Sequence, residues 1–150
     1  MRWRAYEVNL DDCESTDDLA DTARDCAGDV RLVLIEQDDE YAVIGRVDTD
    51  ADARFFLSDG HAADAYPLAA LVADELDPIE SDDVDDELIG TPARTHISAP
   101  FGDATVVEDL GTPAGELLAL CAHEGTLPAD VIAAVCERAG CGDVFESVRA

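Results

Sequence analysis

Apolar and polar positions alternate most clearly between Val30 and Ser58, where the pattern predicts three consecutive strands. Val30 to Ile35 is an apolar run of β-branched residues and leucine, bounded by Asp29 and the polar group Glu36 to Glu40, too short for a helix and suited to a core strand. Gln37 to Glu40 has the length of a hairpin connection. Beyond it, Tyr41, Val43, Gly45 and Val47 alternate with Ala42, Ile44 and Arg46, a second strand running antiparallel to the first. After the acidic turn Asp48 to Asp52, Phe55 and Leu57 share one face of a third strand, with Arg54, Phe56 and Ser58 on the other. A weaker alternation over residues 2–9 suggests a strand ahead of these three.

Helical spacing fills the remainder. Ser15-Thr16-Asp17-Asp18 resembles a capping box ahead of Leu19, Ala20, Ala23, Cys26 and Ala27, predicting a helix over 16–27 that Gly28 ends. As a crossover, that helix makes the first strand parallel to Val30–Ile35. A second helix is predicted over His61 to Leu76, with Pro67 moving its regular start to near Tyr66 and leaving Gly60 to Ala65 as a separate turn. From Phe101 onward the pattern is helical throughout: Ala104 to Leu110, a helix opened by Thr112-Pro113 and ended by Gly125, one opened by Pro128 and stopped by Gly140, and a last turn or two carrying Val144, Phe145 and Val148.

Between these parts lies the sharpest composition shift. Residues 77–87 hold seven acidic and no basic side chains, a density that keeps a segment extended and solvated, and 90–100 continues it with two prolines. The predicted fold class is therefore α+β. A β-α-β-β-β-α unit over 1–76 carries a small, mostly antiparallel (mixed) sheet, an acidic Pro/Gly linker covers 77–100, and a tail of three to four short helices covers 101–150.

Charge narrows the function classes. The chain of 150 residues has 36 acidic and nine basic residues, all nine arginine, for a net charge of −27. Such a field repels nucleic acid and anionic membrane, so direct contact with either is disfavoured. Two readings remain, a solubilising surface or an acidic face for a basic protein. Met1-Arg2-Trp3-Arg4 leads into an alternating pattern and not an apolar signal sequence, and no apolar run reaches the ~20 residues that span a bilayer. Five cysteines without a C-x-x-C pair fit free thiols, so a cytoplasmic protein is expected.

Candidate chemistry is thin. A nucleoside deaminase needs an H-x-E…P-C-x-x-C arrangement, whereas His123 here is followed directly by Glu124 and no C-x-x-C exists. Cys121, His123, Cys136 and Cys141 have zinc-ligand chemistry without paired spacing, and Cys121 and Cys136 fall on apolar helix stripes, which favours buried thiols. Asp48, Asp50, Asp52 and Asp59 imitate a calcium loop, but Ala53 stands at the turn-glycine position and Asp59 at that of the bidentate glutamate; an acidic hairpin turn is favoured. Ser58 and Ser98 lie in no nucleophile elbow, and no phosphate-cradling glycine loop occurs. No metal or other cofactor is expected.

The last fifty residues carry a resemblance. Glu116-Leu117-Leu118-Ala119-Leu120-Cys121, the run Glu124 to Val131 with its Leu-Pro-Ala-Asp core, Glu137-Arg138-Ala139-Gly140 and Asp143-Val144-Phe145-Glu146 resemble the tail of the actinobacterial tRNA adenosine deaminase-associated proteins. The Asp-rich first helix, the turn before Tyr41, Arg46-Val47-Asp48 and Arg54 to Asp59 agree with the N-terminal layout of that family, and its alanine- and arginine-rich, lysine-free composition suits a GC-rich genome. What the resemblance implies is an association, by gene neighbourhood, with the enzyme that converts adenosine to inosine in tRNA. It gives no residue a role.

The chain accordingly reads as a non-catalytic acidic module whose partner is a tRNA adenosine deaminase or another basic protein. Its expected contact residues are Asp82, Asp83, Asp85, Asp86 and Glu87 in the acidic segment and Asp17, Asp18 and Asp21 on the first helix. An alternative is an orphan enzyme or small-molecule sensor with a site between sheet and helical tail, lined by His61, His96 or His123. A weaker one is a nucleic-acid mimic.

Overall fold

Strand β2 (Tyr41–Asp48) is buried on both faces from Tyr41 to Val47, and in the computed structural model the other elements are layered on either side of it. The structure describes residues 3–4, 13–25, 28–37, 39–48, 52–76, 100–122 and 126–149. Strand β1 (Val30–Gln37), β2, β3 (Arg54–Leu57) and β4 (Phe101–Gly102) form a sheet in that spatial order, every neighbouring pair antiparallel. This is an α+β fold. The expected meander is present, with Val33 opposite Gly45 and Ile44 opposite Phe56. Asp39 adopts φ 59° in the β1–β2 connection, a left-handed turn conformation that aspartate tolerates. The strand expected over 2–9 and the turn at 49–51 fall largely outside the described residues.

Because side chains alternate along a strand, the two sets of β2 residues face different partners. Tyr41, Val43 and Val47 join Val33, Ile35, Phe55 and Leu57 under helix α1 (Thr16–Arg24) and helix α2 (Pro67–Asp74), which contribute Leu19, Ala20 and Ala23 and Ala69, Val72 and Ala73. Gly45 is needed on this face, since a Cβ there would stand 2.6 Å from the Phe55 ring. On the opposite face, Ile44 and Phe56 pack with Val106, Val107, Leu117, Val131 and Val135 beneath helix α3 (Ala114–Ala122) and helix α4 (Pro128–Ala139). Ala42 continues this face into a smaller cluster with Ile132, Cys136 and Cys141, against which Val144 and Phe145 of helix α5 (Gly142–Arg149) pack.

Local signals explain most boundaries. Ser15 caps α1, its Oγ accepting from the Asp18 amide at 3.3 Å, while the Asp18 carboxylate accepts from the Glu14 amide at 2.8 Å. Pro67 opens α2, and a separate 3-10 turn (Gly60–Asp64) precedes it, as its position in the sequence suggests. Pro128 opens α4, and Gly140, at φ 90°, ends it.

Four expectations are corrected. Helix α1 ends at Arg24 with Asp25 as its cap, short of residue 27. Ala104–Leu110 is a turn followed by a 3-10 helix (Glu108–Leu110), because the Asp103 carboxylate takes the Thr105 amide at 2.8 Å and diverts the backbone from the helical ladder. Thr112 does not cap α3: its amide closes onto Val107 O at 3.2 Å, drawing the residue inside, and its hydroxyl has no partner among the described residues. Strand β4 replaces the expected start of the helical tail; at two residues it is too short to show a period. Gly102 permits it with φ 101° at a place where a Cβ would stand 2.2 Å from Phe55 O.

Phe56 is fully buried between β2 and α4, so Phe56→Ala is expected to lower the free energy of unfolding by about 3–5 kcal/mol, read as a lower urea midpoint.

Candidate functional site

The expected contact residues divide. Asp17, Asp18 and Asp21 lie on α1, whereas Asp82, Asp83, Asp85, Asp86 and Glu87 fall outside the described residues. Helix α1 buries Leu19, Ala20 and Ala23, which turns Asp17 and Asp21 to solvent. Carboxylates in a first helical turn are favoured by the helix dipole, so Asp17 and Asp18 stabilise the helix they charge. Asp18 is half-buried and occupied with capping, and Asp21 pairs at 3.0 Å with Arg24. Asp17 is the most available of the three.

A contact not legible in the sequence ties this helix to the end of α2. The Thr16 amide donates to the Glu75 carboxylate at 3.1 Å, and the Thr16 hydroxyl bonds to the same oxygen. The start of α1 is thereby fixed to the residue that caps α2, next to exposed Asp74 and one residue before Leu76. Leu76 in turn lies against Gly102 of β4, since a Cβ on that glycine would stand 2.9 Å from Leu76 Cδ1. Leu76 and Gly102, on either side of residues 77–99 in the sequence, therefore lie close together.

The arginines explain why the field points outward. Among the described residues, Arg24 pairs with Asp21, Arg46 with Asp48 and Asp109, Arg54 with Asp103 and Arg138 with Glu116. With nine arginines against 36 acids, pairing every cation with a carboxylate would still leave an excess of 27 negative charges.

Arg46 is the most deeply placed of them, its side chain 5% exposed on the α4 side of β2. Its Nε donates to Asp48 at 2.9 Å, one terminal nitrogen to Val106 O at 3.2 Å, and the other to Asp109 at 2.9 Å; the first terminal nitrogen also bonds Asp109. The Asp109 hydrogen bond, opposed by burial and reinforced by Asp48, holds the guanidinium above its already high ordinary pKa. The same bond holds Asp109 below the usual carboxylate range. Burial pushes Asp103 upward, but the Thr105 hydroxyl and amide together with Arg54 outweigh it, and its pKa is lowered. The alternation of β2 places Arg46 in line with Ala42 and Ile44, on a strand apolar along both faces. A charge in that position was the available signal of an interior ion pair.

Other candidate chemistry is placed as follows. Burial and the nearby Asp59 charge push the Cys121 thiol up to about 12, far from a nucleophile's range. Cys121 packs at the edge of the Ile44–Phe56 cluster while Cys136 and Cys141 share another, so the cysteines considered as zinc ligands are divided; His123 lies outside the described residues. Among the described residues no three His, Cys, Asp or Glu side chains converge as a metal site. Asp48, first position of the calcium-like spacing, is engaged by Arg46. His96, and the side chain of His61, lie outside the described residues. No described helix is long and apolar enough to cross a membrane.

Compared with known proteins, the chain matches the family of Rv3753c-like tRNA adenosine deaminase-associated proteins over residues 1–142. No curated protein and no solved structure matches it.

The lowered pKa of Asp109 sets the sign of a pH effect. Its ion pair contributes stability in full above the ordinary value of 3.8, and that contribution fades as pH falls through the lower folded-state value. Asp109→Asn is therefore expected to be less stable than the wild type at pH 7, with the gap closing below pH about 4; urea titrations at both pH values check this.

Proposed function

The chain belongs to the Rv3753c-like tRNA adenosine deaminase-associated protein family, and on that premise we propose that it is a non-catalytic acidic module that binds a basic protein, first among them a tRNA adenosine deaminase. An enzyme that grips tRNA must present basic surface. An acidic companion docks there by charge complementarity, so restraining, storing or delivering the enzyme. The observation that supports this reading is the exposure of Asp17 and Asp21 on α1, whose start the Thr16–Glu75 contact ties to the residue capping α2. In this reading residues 1–76 and 101–150 form the scaffold, and 77–100 is offered to the partner. The contacts are Asp17, Asp21, Asp82, Asp83, Asp85, Asp86 and Glu87, with Asp18 acting mainly on the helix, and the protein works in the cytoplasm, where tRNA is handled. A site between sheet and tail draws less support, because Ile44, Phe56, Val106, Leu117 and Val135 fill that space with apolar side chains.

Co-purification with the deaminase should be strong at low ionic strength and fade as the screening length shrinks from about 10 Å at 0.1 M to about 3 Å at 1 M salt. Reversing two exposed charges, Asp17→Arg with Asp21→Arg, should weaken binding roughly tenfold, at on the order of 0.5–1 kcal/mol per charge. Loss of the favourable dipole interaction and of the Arg24 pair should weaken α1 slightly, while its packing through Leu19, Ala20 and Ala23 keeps the helix content by circular dichroism close to that of the wild type. Absence of binding at every salt concentration would overturn the proposal.

A further inference from the structure

Helix α4 ends in a backbone arrangement that sets two cysteines against each other. Gly140 takes φ 90°, the Cys141 amide donates to Cys136 O at 2.8 Å, and the Gly140 amide donates to Glu137 O at 3.3 Å. This pair of bonds defines a helix stop in which the side chain near the last turn meets the one just beyond the glycine. An apolar contact usually fills that place. Here both side chains are thiols, free and buried, Cys136 completely and Cys141 to all but 5% of its surface, and they share one packed cluster.

We propose that Cys136 and Cys141 form a redox-modifiable dithiol, closed by a peroxide into a disulfide across the α4–α5 junction and reopened by a low-molecular-weight thiol. The neighbouring Cys136 thiol lowers the pKa of Cys141, and Cys141 raises that of Cys136, which favours the thiolate on Cys141 and retains the proton on Cys136. Cys141 is also the one of the two that reaches solvent. Its thiolate attacks the peroxide: an S–O bond forms, the O–O bond breaks, and hydroxide leaves to be protonated as water. Cys136 sulfur then attacks the sulfenic sulfur, an S–S bond forms, the S–O bond breaks, and the leaving hydroxide departs as water with the Cys136 proton. One peroxide is reduced to two waters as two thiols are oxidised.

The surroundings suit a guarded reaction. The half-buried Trp3 indole covers this cluster, its Nε1 donating to Ala139 O at 3.0 Å beside the glycine. Trp3 and the α5 residues Val144 and Phe145 cover the pair, so the peroxide gains access through local opening of that cover. Closure would tie the first turn of α5 to the last turn of α4. The inference stands apart from the identity of any protein partner.

The test uses the intact chain, treated with hydrogen peroxide and then alkylated under unfolding conditions. Alkylatable thiols are expected to fall from five to three, with an intact mass lower by two hydrogens, and dithiothreitol should restore both values. Glu124 separates Cys121 from Cys136, and Glu137-Arg138 separates Cys136 from Cys141, so cleavage at glutamate and arginine puts the three on different peptides. The linked peptides should be those of Cys136 and Cys141. Five free thiols after treatment, or a bond joining any other pair, would overturn the proposal. Cys136→Ser should leave Cys141 as a sulfenic acid that dimedone labels, and absence of label on that folded variant counts against it. Mapping of the wild-type chain decides the matter should the variant fail to fold.

Discussion

Arg46 is the one charged side chain, among the described residues, that the interior accepts. Removing a guanidinium from water costs several kcal/mol unless its donors are met, so its position dictates what must gather around it. Asp48 comes from the same strand, while Asp109 and the Val106 carbonyl come from the chain beyond the acidic segment. The requirement to satisfy one fork of N–H groups draws residues 100–110 onto the sheet. Strand β4, the 3-10 turn and the start of α3 are placed in consequence.

The same economy governs the surface. With no lysine and nine arginines, the chain has few cations to distribute, and Arg46, Arg54 and Arg138 bind between strand and loop or between helix and helix. Carboxylates that receive no partner remain in water, where a high dielectric makes them tolerable. The negative exterior is thus the remainder after the fold has used its cations. A surface formed in this way is suited to long-range attraction and provides little shape for recognition, so specificity in a partner would come from the few places where the acids are held in register, such as the first turn of α1.

Much of the architecture was legible because periodicity marks it. The meander, the cap at Ser15, the displacement of α2 to Pro67 and the stop at Gly140 each follow from a local rule that tertiary contacts leave intact. Other features belong to long-range pairing. Strand β4 exists because Gly102 can approach Phe55, and the helix expected at 104–110 is undone by Asp103 and Arg46, neither of which acts through its own periodicity. The Thr16–Glu75 contact spans 59 positions and leaves no trace in spacing. The Cys136–Cys141 pair was within reach: cysteines flanking a helix-ending glycine at that interval are brought together by the cap geometry itself. In the sequence they read as buried thiols in preference to zinc ligands, and neither reading sets one against the other.

The chain order also bears on how the molecule is made. Ile44 and Phe56, the centre of the sheet's second face, are present once β3 has left the ribosome, but the helices that cover them are encoded more than fifty residues later. During that interval a nascent chain carries bare apolar surface of the kind that associates with its neighbours. The next residues to emerge after α2 are the seven acids of 77–87, whose mutual repulsion between chains works as a gatekeeper against aggregation. The like charges of 77–87 thus disfavour contact between unfinished copies at the stage when the apolar face is bare.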